Sequence, residues 1–458
     1  MMSNIATTYY PQSGSLVILG AGESGVGTAI LGKEKGFDVF VSDKGLIADH
    51  YKEQLKVEGI AFEEGNHDEA RILNAALVVK SPGIPETVPL VVALKAKNIP
   101  VIAEIEFAAQ YTDAKLICIT GSNGKSTTTM LTYEMLKHGG LNVGLAGNIG
   151  KSFALQVAKE QFDCYVLEIS SFMLDDMYHF RADVAVILNI TPDHLDRYDH
   201  KMENYVDSKF RMIQNQTEND YFIYCLDDPE TIKGLERHHS KGTYLPFTQE
   251  QLVELGAYLN ANKTIIINTP NNDTFTMRAE ELSLQGKHNI YNSMASGLIA
   301  KVQELRNQVM KESMGSYVNI PHRLEHVACI GGVNYINDSK ATNVNSVWYA
   351  LESFSTPIVL LLGGVDKGND YSMLADLVKD KVRAIVCLGK DTAAIHKAFE
   401  QDVEIIVNST SMQDAVVLAS HLAQKGDTVL LSPACASFDW FKNYEDRGDK
   451  FKAAVMEL

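Results

Sequence analysis

The apolar, β-rich run Lys115-Leu-Ile-Cys-Ile-Thr120 passes directly into Gly121-Ser-Asn-Gly-Lys-Ser-Thr127 and then into a helical pattern. Strand, glycine turn and helix in that order leave few folds open. The turn amides and the helix N-terminus form an anion cradle, and the continuous apolar run suits a strand buried in a parallel sheet. In such a loop Lys125 reaches the β/γ oxygens of a nucleoside triphosphate, and the Ser126 hydroxyl is placed to hold Mg²⁺. Ile119 stands where the G-x-x-x-x-G-K-S/T pattern has its first glycine. The working assignment is an ATP site.

Two further blocks open in the same way. Leu16-Val-Ile-Leu19 precedes Gly20-Ala-Gly-Glu-Ser-Gly25, and a helical stretch follows to about Gly36, then Val39–Asp43 and Leu77–Ser81. The central block continues with Cys164–Ile169 and Val184–Ile190, and its polar stretch from 220 to 285 reads as an antiparallel extension. The third has Pro357–Leu362, Ala384–Leu388 and Thr428–Ser432 separated by helical segments. Apolar strands alternating with helices predict an α/β protein of parallel, doubly wound sheets. At about 150 residues per domain, 458 residues suit three domains. The expected limits are 1–104, 105–319 and 320–458.

Charge narrows the partners. Lysine plus arginine is 41 against 58 aspartate plus glutamate, a net charge of −17. A nucleic-acid binder needs an extended basic face, so none is expected, although a small anion can still sit in a local positive pocket. No apolar run approaches the roughly 18 residues of a membrane span, and the N-terminus lacks a signal-peptide pattern. The six cysteines lie far apart with no CxxC pair, and they read as buried thiols of a reducing compartment. A cytoplasmic multidomain enzyme is expected.

Other motifs sit at strand ends. Gly20-x-Gly22-x-x-Gly25 with Asp43 about 20 residues on fits a dinucleotide fingerprint. It fits equally another pyrophosphate ligand, because a helix N-terminus recognises phosphate rather than nicotinamide, and it fits a plain strand-to-helix turn. Glu168 ends an apolar strand on the sheet edge that carries the phosphate loop, where a carboxylate suits a second Mg²⁺ contact. His194 lies among Asp193 and Asp196 in Asn189–Arg197, after another strand. Asp207-Ser-Lys209-Phe-Arg211 reads by default as a solvated charged helix face. Gly286–Asn292 offers amide donors at a helix start, and Pro321-His322-Arg323 sets an arginine in a turn. Asn337–Asn343, Gly363–Gly368 and Ser432–Ser437 follow strands and bring Lys, Thr and Ser donors, as an anionic small-molecule pocket requires.

Taken in order, TGSNGKST at 120–127, GNIG at 147–150, LEISSF at 167–172, NITPDHLDR at 189–197, SKFR at 208–211, GKHNIYN at 286–292, PHR at 321–323 and NDSKATN at 337–343 resemble the Mur ligases. The resemblance spans essentially the whole chain. Within the family, GGVDKG at 363–368 and LSPACASFDWFKNYEDRG at 431–448 resemble members that add D-glutamate.

That resemblance implies a Rossmann-like UDP-sugar domain, a central P-loop ATP domain and a C-terminal Rossmann-like α/β domain for the amino acid. By similarity, Glu23, Ser24, Asp43, Ser81, Pro82, Gly83 and Asn148 would contact the UDP-muramoyl substrate. Gly121, Ser122, Asn123, Gly124, Lys125, Ser126 and Thr127 would hold ATP phosphates, with Asn289, Asn292, Arg323 and Asp338 positioning the nucleotide. Ser126 and Glu168 would ligate one Mg²⁺, and His194 with a carbamylated Lys209 a second. Lys340, Thr342, Lys367, Ser437 and Tyr444 would surround D-glutamate; at the last position relatives often carry phenylalanine. The implied reaction joins D-glutamate to UDP-N-acetylmuramoyl-L-alanine through an acyl phosphate, in a monomeric enzyme.

Four rivals define the tests. A ligase for another amino acid, or folylpolyglutamate synthetase, shares the loops but differs in substrate. An NAD-dependent oxidoreductase uses the first glycine turn and leaves TGSNGKST unexplained. A regulatory nucleotide-binding module turns over no ATP.

Overall fold

The computed structural model describes residues 9–270, 272–318, 321–354, 356–366 and 368–458. Lys367, one of the expected glutamate contacts, lies outside them. The chain divides into two compact units: Met1–Glu281 with Tyr291–Gly315, and Leu282–Ile290 with Ser316–Leu458.

The first unit carries two sheets. Strands β1 (Gly14–Leu19), β2 (Phe37–Asp43), β3 (Ala61–Glu64), β4 (Leu77–Lys80) and β5 (Val101–Ile102) pair in the order β3-β2-β1-β4-β5, all parallel. Strand order reverses beside β1, so the turns after β1 and β4 share one edge, where such sheets bind ligands. The helix Glu23–Glu34 packs close over this turn: a Cβ on Gly25 would lie 2.0 Å from the Gly20 carbonyl oxygen. Only glycine allows that approach.

The second sheet contains β6 (Lys115–Thr120), β7 (Val143–Gly147), β8 (Cys164–Glu168), β9 (Val184–Ile187), β10 (Tyr221–Cys225), β11 (Thr243–Thr248), β12 (Gly256–Leu259), β13 (Thr264–Thr269) and β14 (Asn272–Arg278). Their order is β14-β13-β12-β11-β10-β9-β6-β8-β7. The expected antiparallel extension from 220 is corrected here. Strands β10, β11 and β12 continue the parallel sheet, and the antiparallel pairings are those of β13 with β12 and with β14. The helix Pro229–Arg237 supplies the crossover that returns β11 parallel to β10. Residues Asn260–Lys263 instead close a tight turn, with Lys263 at φ +54°, and reverse the chain. Strand β13 alternates buried and half-buried positions, the pattern of a sheet with one wetter face. One apolar core joins the two sheets, running from Leu16 and Val41 through Phe107 and Phe153 to Ile187 and Phe222.

The second unit holds β15 (Glu325–Ile330), β16 (Val333–Asn337), β17 (Ile358–Gly363), β18 (Val382–Leu388), β19 (Ile406–Asn408) and β20 (Thr428–Leu431), in the order β15-β16-β20-β17-β18-β19. Only β15 is antiparallel to its neighbour. Apolar clusters cover both faces, one around Val347, Leu360 and Phe399 and one around Val416, Leu431 and Phe451. Cys329 departs from the expected set of buried thiols. It is exposed on the edge strand β15, while the other five cysteines are buried.

Candidate active site

Strand β6 lies between β8 and β9, so the loops after these three strands meet at one sheet edge. The phosphate loop leaves β6 at Gly121 and enters the helix Lys125–His138 through Gly124. Gly124 holds φ +83°, and a Cβ there would stand 2.4 Å from Asn292 Oδ1. Asn292 also accepts a hydrogen bond from Thr128 Oγ1 at 3.2 Å, so this asparagine closes the start of the helix. Lys125 Nζ donates to the carbonyls of Gly121 and Ser122 at 2.9 and 2.8 Å, folding the amine over the loop.

The β9 loop braces the phosphate loop. Asn189 accepts from the Asn123 amide at 2.9 Å and donates back to the Asn123 carbonyl at 3.0 Å. Ser122 N donates to the Asn189 carbonyl, and Ser122 Oγ accepts from the Thr191 amide at 2.9 Å. The result is a rigid turn with fixed amides, the form an anion cradle takes. Ser126 and Thr127 are buried at the helix start, and Thr127 Oγ1 has no hydrogen-bond partner.

Glu168, at the end of β8, is 1% exposed. Its Oε1 accepts from Asn148 Nδ2 at 2.8 Å, and the Asn148 amide donates to the Glu168 carbonyl at 2.9 Å. Oε2 is buried with no hydrogen-bond partner. A buried carboxylate oxygen left so is costly unless a cation or donor meets it.

Lys209 overturns the solvated-face reading of its helix. It is 1% exposed, donates to the Gly121 carbonyl at 3.1 Å, and lies 4.5 Å from the Tyr205 ring centroid. Burial, reinforced by Lys125, holds its amine well below the usual lysine range, against the pull of Asp193 and Asp175. His194 sits at φ +52° with its ring edge-on to Phe172 and Nε2 3.6 Å from Asp193. Sequence reading missed Tyr205, whose hydroxyl lies 3.2 Å from Ser122 Oγ. An aromatic four residues before Lys209 carries no signal until the helix Met202–Phe210 is known to be half-buried.

At the first sheet's edge, Asp43 holds the turn itself. Its two carboxylate oxygens accept the amides of Ala21 and Gly45, both at 2.7 Å. Glu23 accepts from the Ser152 amide, and the Ser152 hydroxyl donates to the buried Glu104, whose carboxyl burial pushes up. Ser81 follows β4, and a Cβ on Gly20 would lie 2.8 Å from the Ser81 Cβ. Gly83 is exposed, with open space around the position of a Cβ.

In the second unit, Asp338 follows β16 and is 3% exposed. It accepts from Ser432 Oγ at 2.9 Å and from the Leu324 amide at 3.2 Å. Burial raises its carboxyl to about 6, with Arg323 the strongest opposing influence. Lys340 lies 5.4 Å from the Tyr444 ring centroid, and Ser339 Oγ donates to the Tyr444 carbonyl. Ser437 is buried after β20, and Thr342 is exposed. Asn289 donates to the Gln285 carbonyl, and its neighbour His288 is pushed down to about 4 by burial and by Arg323. The fully buried Arg447, also missed, donates to Ser339 and to the Cys435 carbonyl and so ties the loops after β16 and β20 together. It sits inside the recognised C-terminal motif but looks like an ordinary helix-surface arginine.

A parallel sheet whose central strand ends in a lysine-bearing glycine turn, beside a buried carboxylate, with one parallel-sheet module before it and another after it in the sequence, defines a three-part phosphate-loop α/β protein. The chain belongs to the Mur ligase family. It matches in series a MurD-like N-terminal domain at 14–103, a Mur ligase middle domain at 119–300 and a Mur ligase glutamate ligase domain at 322–435. The UDP-N-acetylmuramoylalanine--D-glutamate ligase of Bacteroides fragilis is 53% identical over 444 residues, covering 97% of this chain and 99% of the relative. The enzyme of the same name from Christiangramia forsetii is 54% identical over 443 residues, covering 97% and 99%. In fold the chain is similar to a pseudomurein peptide ligase type C from Methanothermus fervidus (TM-score 0.63, 19% identity, 97% and 99% covered). It is also similar to the UDP-N-acetylmuramate-alanine ligase of Thermotoga maritima (TM-score 0.59, 16% identity, 97% and 99% covered). Family membership displaces the nicotinamide reading of the first glycine turn.

Proposed function

We propose that this protein joins D-glutamate to UDP-N-acetylmuramoyl-L-alanine at the expense of ATP, in the synthesis of peptidoglycan precursors. The observation that carries the reading is the near-full-length likeness to relatives named for that reaction. The rigid phosphate loop and the carboxylate beside it support the phosphoryl-transfer half. The assignment takes 1–104 as the UDP-sugar domain, 105–319 as the ATP domain and 320–458 as the amino-acid domain, in a monomeric cytoplasmic enzyme. Among the described residues no helix is long and apolar enough to cross a membrane.

A carboxylate is a poor acylating agent at neutral pH. Its oxygen attacks the γ-phosphorus, the P–O bond to ADP breaks, and an acyl phosphate forms. The D-glutamate amine then attacks the acyl carbon, phosphate leaves, and the amine proton passes to solvent or a base. Positioning and charge neutralisation do most of this work. The amides of Gly121–Thr127 orient the phosphates, and Lys125 neutralises charge on the transferring group. Asn289, Asn292, Arg323 and Asp338 are assigned to the nucleotide, and Glu23, Ser24, Asp43, Ser81, Pro82, Gly83 and Asn148 to the UDP-muramoyl substrate. Lys340, Thr342, Lys367, Ser437 and Tyr444 are assigned to D-glutamate.

The residues present fit Mg²⁺. Glu168 Oε2 is buried with no hydrogen-bond partner, and Ser126 is buried at the helix start. Hard oxygen donors of this kind, with one carboxylate and substrate phosphates, are what Mg²⁺ takes. Ser126 and Glu168 would hold one ion, His194 and carbamylated Lys209 a second, supplying charge neutralisation along the phosphates. The amine of Lys209, held low by burial, suits carbamylation, because only the neutral amine adds CO₂: the N–C bond forms and one proton leaves.

The test is phosphate release with UDP-N-acetylmuramoyl-L-alanine and D-glutamate, L-glutamate, D-glutamine or L-lysine at equal concentration. D-glutamate should give the fastest rate by a wide margin. A preference for L-lysine or a diamino acid would overturn the substrate assignment and leave the ligase class standing.

A further inference from the structure

The loop Ser81–Gly83 is held from below by a buried charge pair that the sequence motifs do not include. Lys80, the last residue of β4, is 2% exposed, and Asp176, just past the short helix Ser171–Leu174, is 1% exposed. Their Nζ and Oδ2 atoms lie 2.7 Å apart. The same Nζ donates to the Ile84 carbonyl at 2.7 Å and lies 3.4 Å from Glu86. One ammonium therefore ties the rear of the 81–86 loop to an aspartate in the segment between β8 and β9. The backbone repeats the link, since the Ala103 amide donates to the Asp176 carbonyl at 3.0 Å.

The neighbouring residues extend it. Asp175 accepts from Ser208 Oγ at 2.6 Å and from Tyr198 at 3.0 Å, and Ser208 directly precedes Lys209. Arg197 meets the loop on its other side. Its guanidinium lies 4.4 Å from the Phe172 ring centroid and reaches the carbonyls of Pro82 and Gly83 at 3.5 Å.

We propose that Lys80 is a positioning residue for the UDP-sugar substrate: its ammonium, anchored on Asp176, fixes the Ile84 carbonyl and thereby the conformation of Ser81–Gly83. This rests on the reading that Ser81–Gly83 contacts the UDP moiety. A buried ion pair is weak evidence for stability by itself, because a well-packed apolar pair often replaces it without loss. The selective advantage of lysine is the extra bond to Ile84, which an apolar side chain cannot make.

The experiment compares full-length Lys80→Met, the double variant Lys80→Met/Asp176→Leu and Gly83→Val, reading Tm, affinity for UDP by calorimetry, and KM for each substrate. Lys80→Met strands a buried carboxylate and should lower Tm. The double variant should recover the wild-type Tm while keeping a UDP affinity and a muramoyl-substrate KM worse by about tenfold, with the KM for ATP little changed. A double variant that regains both Tm and UDP affinity would reduce Lys80 to a structural ion and overturn the proposal. Gly83→Val enters open space in the fold, so it should weaken UDP binding at unchanged Tm. Unchanged UDP affinity there overturns the loop reading, and the Lys80 proposal with it. Weakened binding in Gly83→Val beside a wild-type-like double variant removes Lys80 alone.

Discussion

Lys209 Nζ donates to the carbonyl of Gly121, the residue that opens the phosphate loop, across 88 residues of sequence. A lysine placed there is out of water and faces Lys125 as a like charge, so its neutral form is favoured. Under CO₂-replete native conditions, mass spectrometry should find the protein heavier by one CO₂, and the Lys209→Ala variant should not carry the added mass. Lys209→Ala should also be nearly inactive. Full activity in that variant would remove this lysine from the chemistry.

Lys125 donates to two carbonyls of the loop it belongs to. Lys125→Ala therefore removes charge from the phosphate site without opening a core. Turnover should fall by about 10³-fold or more, while Tm and UDP affinity stay near wild type. Near-normal phosphate release would take the central sheet out of the reaction.

Gly124 combines a left-handed backbone with a side-chain position already filled by Asn292. Gly124→Ala must pay for both strain and displacement, about 1–3 kcal/mol together. A Tm lower by a few degrees and a raised KM for ATP are expected. An alanine variant with wild-type Tm would show that the turn relaxes freely.

The assignment of Lys367 to D-glutamate carries a prediction about selectivity. An ammonium facing the side-chain carboxylate of the amino acid would favour an anion over lysine, and glutamine would lose the charge-assisted bond, about twice as strong as a neutral one. Lys367→Ala should raise the KM for D-glutamate far more than that for ATP. An equal rise for all three substrates would point to a folding defect instead.

Much of this was legible because it is local. A strand, a glycine turn and a helix are contiguous, so the turns at Gly20–Gly25 and Gly121–Lys125 and the buried strands around them could be read from spacing. What stayed hidden depends on partners far along the chain. Lys209 looked solvated because its own helix is polar, and nothing nearby in sequence announces Gly121 above it. Asp43 reads as a ribose acceptor, and nothing in the sequence announces that its two oxygens also hold the Ala21 and Gly45 amides. The parallel pairing of β10 and β11 depends on a crossover helix that fully buries only Thr231 and Gly234, which the polar composition of 220–285 disguised. Lys80 and Asp176 each resemble ordinary strand-end and helix-end charges until the fold buries them against each other.

Asp338 offers a pH test with a defined sign. Its carboxyl rises to about 6 because burial outweighs Arg323, the Ser432 hydroxyl, the Leu324 amide and Arg447. In the unfolded chain the same group titrates near ~3.9. The folded state therefore binds the proton more tightly, and the stability this contributes is full below about 3.9 and is lost as pH rises through about 6. The gap of roughly two pH units corresponds to about 3 kcal/mol between the two limits. Asparagine has the same shape, can keep a bond to Ser432 or to the Leu324 amide, and never ionises. Asp338→Asn should therefore gain on wild type between pH 5 and pH 8 by about 1 kcal/mol in the unfolding of the second unit, read as a growing difference in Tm. If Asp338 also positions the nucleotide, the same variant loses turnover while its Tm improves, a split that a purely structural carboxyl would not give. A Tm difference that stays flat or shrinks as pH rises would mean that the carboxyl is ionised throughout this range, held by Arg323 more strongly than burial opposes it.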